Sequence, residues 1–313
     1  MGKNVATVLL KAEKEGNGMK KKIPSYHKKE WLAAFLFLLP NLAGFLVFTF
    51  LPVVLGFMIS LTDYSGYGAA DFVGLDNYLR MFRDSSFRIS LKNNLVYTFT
   101  TVPLTISLSL MLALMVNRKM YGAGFFKSVY FFPNLTSMVA VSCVWLQILA
   151  SEGPVNQFLR SCGMENPPKW FWGISSAMAS IVIVVVWKQI GYYMIMFLGG
   201  LKNIPQELFE AAKMDGAGAW ACFWNVTWPM LSPTTFMITI LTMIGSFQVF
   251  DVMNVTTEGG PGRATRVLVM EIYDQAFQYR KMGYGAAIGY FLFLIIFVIT
   301  LIQWHGQKKW VVE

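Results

Sequence analysis

NIPQELFEAAKMDGAGAWACFWNVTWPMLSP, from Asn203 to Pro233, lies between two long apolar segments and decides how the rest of the chain is read. It reads as a pair of short helices on a water-facing loop of a membrane protein. Pro205 suits the first position of a helix, Glu207 and Glu210 favour its opening turns, and Gly216 and Gly218 supply permissive backbone to end it. A second short helix is predicted from about Trp220 to Thr227. Pro229 then marks the turn back toward the bilayer, because it lacks an N–H and disfavours helical geometry at the residue before it. On these residues alone, the run is equally two plain connecting helices with a glycine turn.

Outward from this loop the composition is that of a membrane protein. Hydrophobic residues make up 55% of the 313 and charged residues only 14%, well under the roughly one quarter usual in soluble domains. Six apolar blocks have about the 20 residues a spanning helix needs. They are Trp31–Leu61, Asn94–Val116, Ser128–Ala150, Met178–Leu201, Met230–Phe250 and Tyr284–Trp304. Pro40, Pro52, Pro103 and Pro133 are read as kinks that a helix bundle tolerates.

The basic residues set the predicted orientation. With the N-terminus cytoplasmic, the inner segments carry 15 Lys and Arg against 7 acids, the outer segments 10 against 10, and Lys188 lies within a span. Both termini are therefore expected inside a bacterial or archaeal cytoplasmic membrane, with lipid around the spans and Glu210 facing the cytoplasm. The predicted parts are a basic tail over residues 1–30, a six-helix domain over 31–304 with its cytoplasmic loop at 203–228, and a C-terminal tail over 305–313. ATVLL (Ala6–Leu10) is too short for the core of a cleavable signal peptide, so the first span is expected to act as the insertion signal. The excess of positive charge reads as membrane topology and not as a nucleic-acid surface, since no basic and aromatic cluster accompanies it.

Catalytic chemistry finds little footing. His27 and His305 flank the membrane, far apart in sequence. Cys143, Cys162 and Cys222 fall in three different segments, so neither a metal centre, a disulfide framework nor a histidine-based triad is expected. No cofactor is expected either. GGPGRAT (Gly259–Thr265) is rich in glycine but lacks the lysine of a phosphate-binding loop. If ATP drives this protein, another chain hydrolyses it.

Four stretches carry a family resemblance. EAAKMDGAG (Glu210–Gly218), followed by Pro229 and Pro233, resembles the EAA loop of the permease subunits of ATP-binding-cassette (ABC) importers. TTEGGPGRATRVLVMEIYDQAFQYRKMGYGAA (Thr256–Ala287), FVGLDNY (Phe72–Tyr78) and FFPNLTSMVAVSCVW (Phe131–Trp145) are similar to segments of the carbohydrate-uptake permeases of maltose and glycerol-phosphate type. The likeness extends over nearly all of Trp31–Trp304.

That resemblance implies an all-α integral membrane protein, six transmembrane helices in a type I ABC importer bundle with a cytoplasmic coupling helix. It implies that Glu210 pairs with an arginine of a separate ATPase and that Gly216 makes the bend, with Leu208, Ala211, Ala212 and Asp215 as packing and capping neighbours. It also implies partners: a second, homologous permease, two ATPase subunits, an external substrate-binding protein and a carbohydrate substrate.

The substrate pathway is expected along polar positions of the fourth and fifth spans. Trp187, Gln189 and Tyr192 recur near helical spacing and join aromatic faces, suited to sugar rings, to hydrogen-bonding groups. Thr242, Ser246 and Gln248 offer similar groups, with Asp251 at the outer end. The resemblance puts sugar contacts near Gln189, Tyr192, Thr242 and Ser246, while Val185 and Val249 depart from the amides of the maltose-type permease. Lys188 is costly within a span. It reads either as a substrate or gating contact or as the partner of a carboxylate or backbone carbonyl on a neighbouring helix.

Beyond Gly259, Gly260 and Pro261, the pattern of Val267, Met270, Ile272, Tyr273, Ala276 and Phe277 reads as an amphipathic helix at the outer surface. In the family this region shapes the outer gate near the docked binding protein; as a plain interfacial helix it would cap the bundle. The competing functional class is a carrier driven by an ion gradient. Such a carrier would show paired intramembrane acids or an internally repeated pair of broken helices, and neither is evident in the sequence.

Overall fold

The computed structural model describes residues 25–117 and 122–310, and these are largely helical. They form two compact units, one ending at Gly56 and one starting at Phe57. The first 24 residues of the expected basic tail, residues 118–121 and residues 311–313 lie outside the described part.

α1 (Ser25–Phe45) leads through a π turn over Leu46–Phe50 into α2 (Leu51–Ser60), within which the boundary between the two units falls. Residues 25–30, expected in the tail, are helical. Glu30–Ser60 is a helical stretch of 31 residues, long and apolar enough to cross a bilayer. Trp31, Phe37 and Phe48 are exposed, so the helix is apolar all round, as a lipid-facing span is. Neither proline breaks it. Ahead of Pro52, the Leu51 N–H reaches back five residues to the Leu46 carbonyl, a π turn at the place where a proline disturbs the α ladder.

The second unit is built around α4 (Ser85–Asn117), preceded by α3 (Asp76–Arg83), and α8 (Ala177–Lys202) packs along it. Between them in sequence come α5 (Ala123–Leu135), α6 (Met138–Ile148) and α7 (Pro154–Ser161). The close approach of α8 and α5 requires Gly191, where any Cβ would overlap the backbone carbonyl of Tyr130. Deep in the bundle Met194, Phe197 and Leu198 meet Leu231 and Ile238, all nearly or fully buried. Lipid tails are as apolar as these side chains, so shape complementarity and dispersion hold this contact, with little contribution from transfer out of water.

Two of the six predicted spans are not single helices. The block Ser128–Ala150 is α5 and α6, bent by 102°. Thr136 and Ser137 are extended, with ψ of 144° and 140°, and Pro133 in the preceding turn has no N–H to keep the ladder going. The loop of Asn203–Pro233 contains α9 (Gln206–Met214), α10 (Ala219–Cys222), a π turn over Phe223–Thr227 and α11 (Trp228–Met230). The fifth span, expected over Met230–Phe250, is α12 (Ser232–Phe247), set at 63° to the helical segment Ala219–Met230.

Pro229 does not end its helix. Trp228 keeps helical angles because the π turn sends its N–H to Phe223, and the bend falls two residues later at Leu231. The described chain thus holds four continuous spans, or six when each bent pair is counted as one.

On the far side of α12 follow α13 (Asp251–Thr256), α14 (Leu268–Tyr273), a π turn over Asp274–Gln278 and α15 (Met282–Trp310). Residues 305–310, expected in a tail, continue the last helix. The outer helix predicted from the pattern at 267–277 is α14 with its π turn. Its inward side is Val267, Leu268, Met270 and Glu271, while Tyr273 and Phe277 remain exposed.

Candidate functional site

The loop between α8 and α12 presents α9 to solvent. Pro205 sits one residue earlier than expected, at the position before the first helical residue, with ψ of 133°. At the other end the Gly216 N–H donates to Lys213 and the Ala217 N–H to Ala212, with Gly216 at φ of 76°. This is the paired-bond stop in which a left-handed residue follows the cap, and glycine adopts it without strain. Asp215 is the cap residue itself. Gly218, expected to share the stopping role, has φ of −73° and instead precedes the next helix.

Glu207, Leu208, Glu210, Ala211, Asp215 and Gly216 are exposed, and Ala212 is half-buried. The Gln206 side-chain amide donates to the Glu210 carboxylate at 3.1 Å, one helical turn away. The result is a short helix with a carboxylate held at its surface and alanines beside it, a shape that can enter a groove on another protein.

The expected pathway residues divide. Gln189, Thr242, Ser246 and Gln248 line one cavity of about 150 Å³ together with Tyr97, Thr101, Gly245 and Asp251. Val185 and Val249, the two apolar departures noted in the sequence, lie in the same wall. The Thr242 hydroxyl donates to Ile238 and that of Ser246 to Met243, so each has spent its proton and offers lone pairs.

Trp187, Lys188 and Tyr192 do not line that cavity. Trp187 packs edge-on against Trp145 at 5.3 Å, and Tyr192 against Tyr193 at 5.1 Å. Lys188 donates to the backbone carbonyl of Asn134 at 3.2 Å, which agrees with the carbonyl pairing considered above.

Tyr97 and Thr101, from the second span, were missed. Their spacing of four residues on a helix, amid apolar neighbours, is the signal that would have found them.

Gly259, Gly260 and Pro261 lie in a loop closed on itself. Its Gly260–Pro261 peptide bond is cis, the Thr265 hydroxyl donates to Gly260, and the hydroxyls of Thr257 and Thr265 meet at 2.6 Å. α4 anchors this loop. The Asn93 amide donates to the carbonyls of Arg263 and Arg266, and Asn94 accepts from the Leu268 N–H while donating to Ser246. Irregular backbone at this position is thus satisfied by protein groups.

Next to the loop Arg266 bridges Glu271, which is fully buried, and Asp274, and the Gln275 amide also donates to Glu271. Burial alone pulls the Arg266 guanidinium down, but the hydrogen bonds and charges of Glu271 and Asp274 outweigh it and hold the group above its usual range. This ion cluster was also missed. An acid inside LVMEIY, five residues after an arginine, was its trace in the sequence.

Taken together, the second unit is a bundle of spans interrupted by an exposed helix, with a small cavity inside and a braced loop beyond it. A family model described as "Binding-protein-dependent transport system inner membrane component" matches residues 90–310, and the chain belongs to that family. It is thus a transport component of the membrane, which decides against the gradient-driven carrier.

It is 32% identical to the probable ABC transporter permease protein YesP of Bacillus subtilis, over 91% of this chain and 93% of that one. It is 35% identical to the arabinooligosaccharides transport system permease protein AraP of the same organism, over 89% and 88%. A permease chain in the crystal structure of a bacterial alginate ABC transporter, solved in complex with a periplasmic protein bound to an alginate pentasaccharide, shares the fold with a TM-score of 0.79. That match covers 92% of this chain and 98% of the other at 23% identity.

Proposed function

We propose that this chain forms half of the translocation pathway of an ATP-driven carbohydrate importer and couples it to separate ATPase subunits through α9. The observation that carries this reading is the exposed Glu210 on a helix ended by Gly216, in a chain with no phosphate-binding loop of its own. A carboxylate meeting an arginine in a groove that excludes water forms a charge-assisted bond able to transmit a pull. The loop 203–228 would face the cytoplasm, with both termini on the same side of a bacterial or archaeal cytoplasmic membrane.

One such helix serves one ATPase, so a second, homologous permease and two ATPase subunits complete the machine, fed by an external substrate-binding protein. The cavity supports a shared pathway. At about 150 Å³ it is smaller than the roughly 300 Å³ at which ligand pockets begin, so a sugar ring would need walls from the partner permease. Within it Gln189, Thr242, Ser246 and Gln248 would meet sugar hydroxyls, while Gly259, Gly260 and Pro261 would shape the outer gate beside the binding protein. The carbohydrate class rests on relatives such as the arabinooligosaccharide permease.

The test is to purify the chain from its own membrane in mild detergent and identify by mass spectrometry what stays bound. One homologous permease and two ATPase copies per chain, with the ATPase lost on Glu210→Ala, is the expected result. Recovery of the chain alone or as a homo-oligomer, still moving solute in ATP-free liposomes, would overturn the reading.

A further inference from the structure

The segment Ala219–Met230 carries three tryptophans four residues apart, Trp220, Trp224 and Trp228. Their rings are in contact, 5.8 Å apart for the first pair and 6.0 Å for the second. Four-residue steps drift around a regular helix by about 40° each, since a turn takes 3.6 residues. The π turn over Phe223–Thr227 widens the middle of the segment and keeps the indoles in one row, backed by Phe223, which stacks on Trp220 at 6.2 Å.

The row faces outward. Trp220 is 74% exposed, and Trp224 and Trp228 are exposed as well. Among the described residues none of the three indole N–H groups has an acceptor. From Gly216 to Phe250 the sequence contains no Asp, Glu, Lys, Arg or His.

We infer that this row is an interfacial anchor, seated among phospholipid headgroups where the membrane meets water. Indoles favour that boundary because the ring is apolar and the N–H still finds a phosphate or ester oxygen. The row continues into surface that belongs in lipid. Past the 63° bend at Leu231, the exposed side chains of α12 include Met237 and Leu241, apolar residues on a membrane span.

A strongly bent entry lays the tryptophan segment across the end of that span instead of along it, as an interfacial helix requires. The lack of charge distinguishes this face from α9 immediately before it, where Glu207, Glu210, Lys213 and Asp215 offer a protein partner something to read. The anchor would fix the depth of the segment following α9, so that a pull on α9 is passed to α12 instead of being lost in a loose loop. That last consequence rests on the coupling role proposed above; the lipid contact does not.

The test uses the assembled transporter in phosphatidylcholine nanodiscs, with Cys143, Cys162 and Cys222 replaced by Ser and a nitroxide placed by Trp224→Cys or, as a water-facing control on the exposed loop before α8, Glu165→Cys. Power saturation is measured with oxygen, which partitions into lipid, and with a nickel chelate, which stays in water. The expected result is an oxygen-to-nickel accessibility ratio several-fold higher at 224 than at 165.

Equal ratios would place the row in water and overturn the inference. Shielding of residue 224 from both reagents would also overturn it, by showing that a protein partner covers the face. A second measurement needs no label. Acyl-brominated phosphatidylcholine should quench a smaller share of the fluorescence after Trp220→Phe, Trp224→Phe and Trp228→Phe together, and an unchanged share would count against the anchor even if coupling through α9 is intact.

Discussion

Lys188 and Asn134 are joined by a hydrogen bond of 3.2 Å from the ammonium to the backbone carbonyl, at the place where α5 stops and the chain swings through 102° into α6. The last carbonyls of a helix have no partner within it, and a cation there satisfies one and complements the negative end of the dipole. Lys188 therefore secures the broken span. Lys188→Met keeps the length of the side chain and leaves the carbonyl unpaired, at about 1–3 kcal/mol. The expected outcome is a lower melting temperature in detergent with unchanged solute preference. Altered preference at unchanged melting temperature would show a substrate contact instead.

Gly216 isolates backbone geometry from side-chain space. A Cβ there meets nothing within 4 Å, yet φ is 76°. Left-handed angles are open to Asn far more readily than to a β-branched residue. Gly216→Asn should therefore keep ATP-driven uptake near normal. Gly216→Val should lose most of it while membrane insertion, followed by immunoblotting of the membrane fraction, stays intact. Equal uptake by both variants would show that the paired-bond stop is not needed.

Gly191 is the opposite case, a glycine required for space. Overfilling a packed interior costs about 1–3 kcal/mol, and at this site the obstacle is the backbone carbonyl of Tyr130, which has little room to move. Gly199 lies on the same helix, and a Cβ added there would meet nothing within 4 Å. Gly191→Ala is expected to lower the yield of monodisperse protein in fluorescence-detected size exclusion, and Gly199→Ala to leave it unchanged or raise it slightly, since alanine favours helix.

Much of this architecture was legible because a bilayer permits few solutions. Apolar blocks of about 20 residues have to be helices, and the glycine that stops α9 announces itself by following a charged, alanine-rich turn. The bends at Thr136 and Leu231 were not legible, since neither falls on a proline. Pro133 lies three residues ahead of one, and Pro229 stays helical because a π turn, which hydropathy does not mark, absorbs it. Asn94 and Glu271 were missed for another reason. Their importance comes from tertiary neighbours, Ser246 and Leu268 for the first and Arg266 for the second, and no local spacing encodes those meetings.

The cavity separates two residues that the sequence treated alike. Gln189 lines it, whereas Tyr192, three positions on, packs beside Tyr193 and lies outside it. If a sugar hydroxyl meets the Gln189 amide, Gln189→Leu removes one hydrogen bond of about 0.5–1.5 kcal/mol, a loss of up to roughly tenfold in uptake at limiting substrate. Tyr192→Phe, which deletes only a hydroxyl away from the cavity, should transport at the parental rate. Both are read by uptake of radiolabelled carbohydrate into proteoliposomes over a range of binding-protein concentrations, so that a change in docking is told apart from a change in the pathway. A large defect in Tyr192→Phe with none in Gln189→Leu would move the pathway off this cavity and onto the aromatic face of α8.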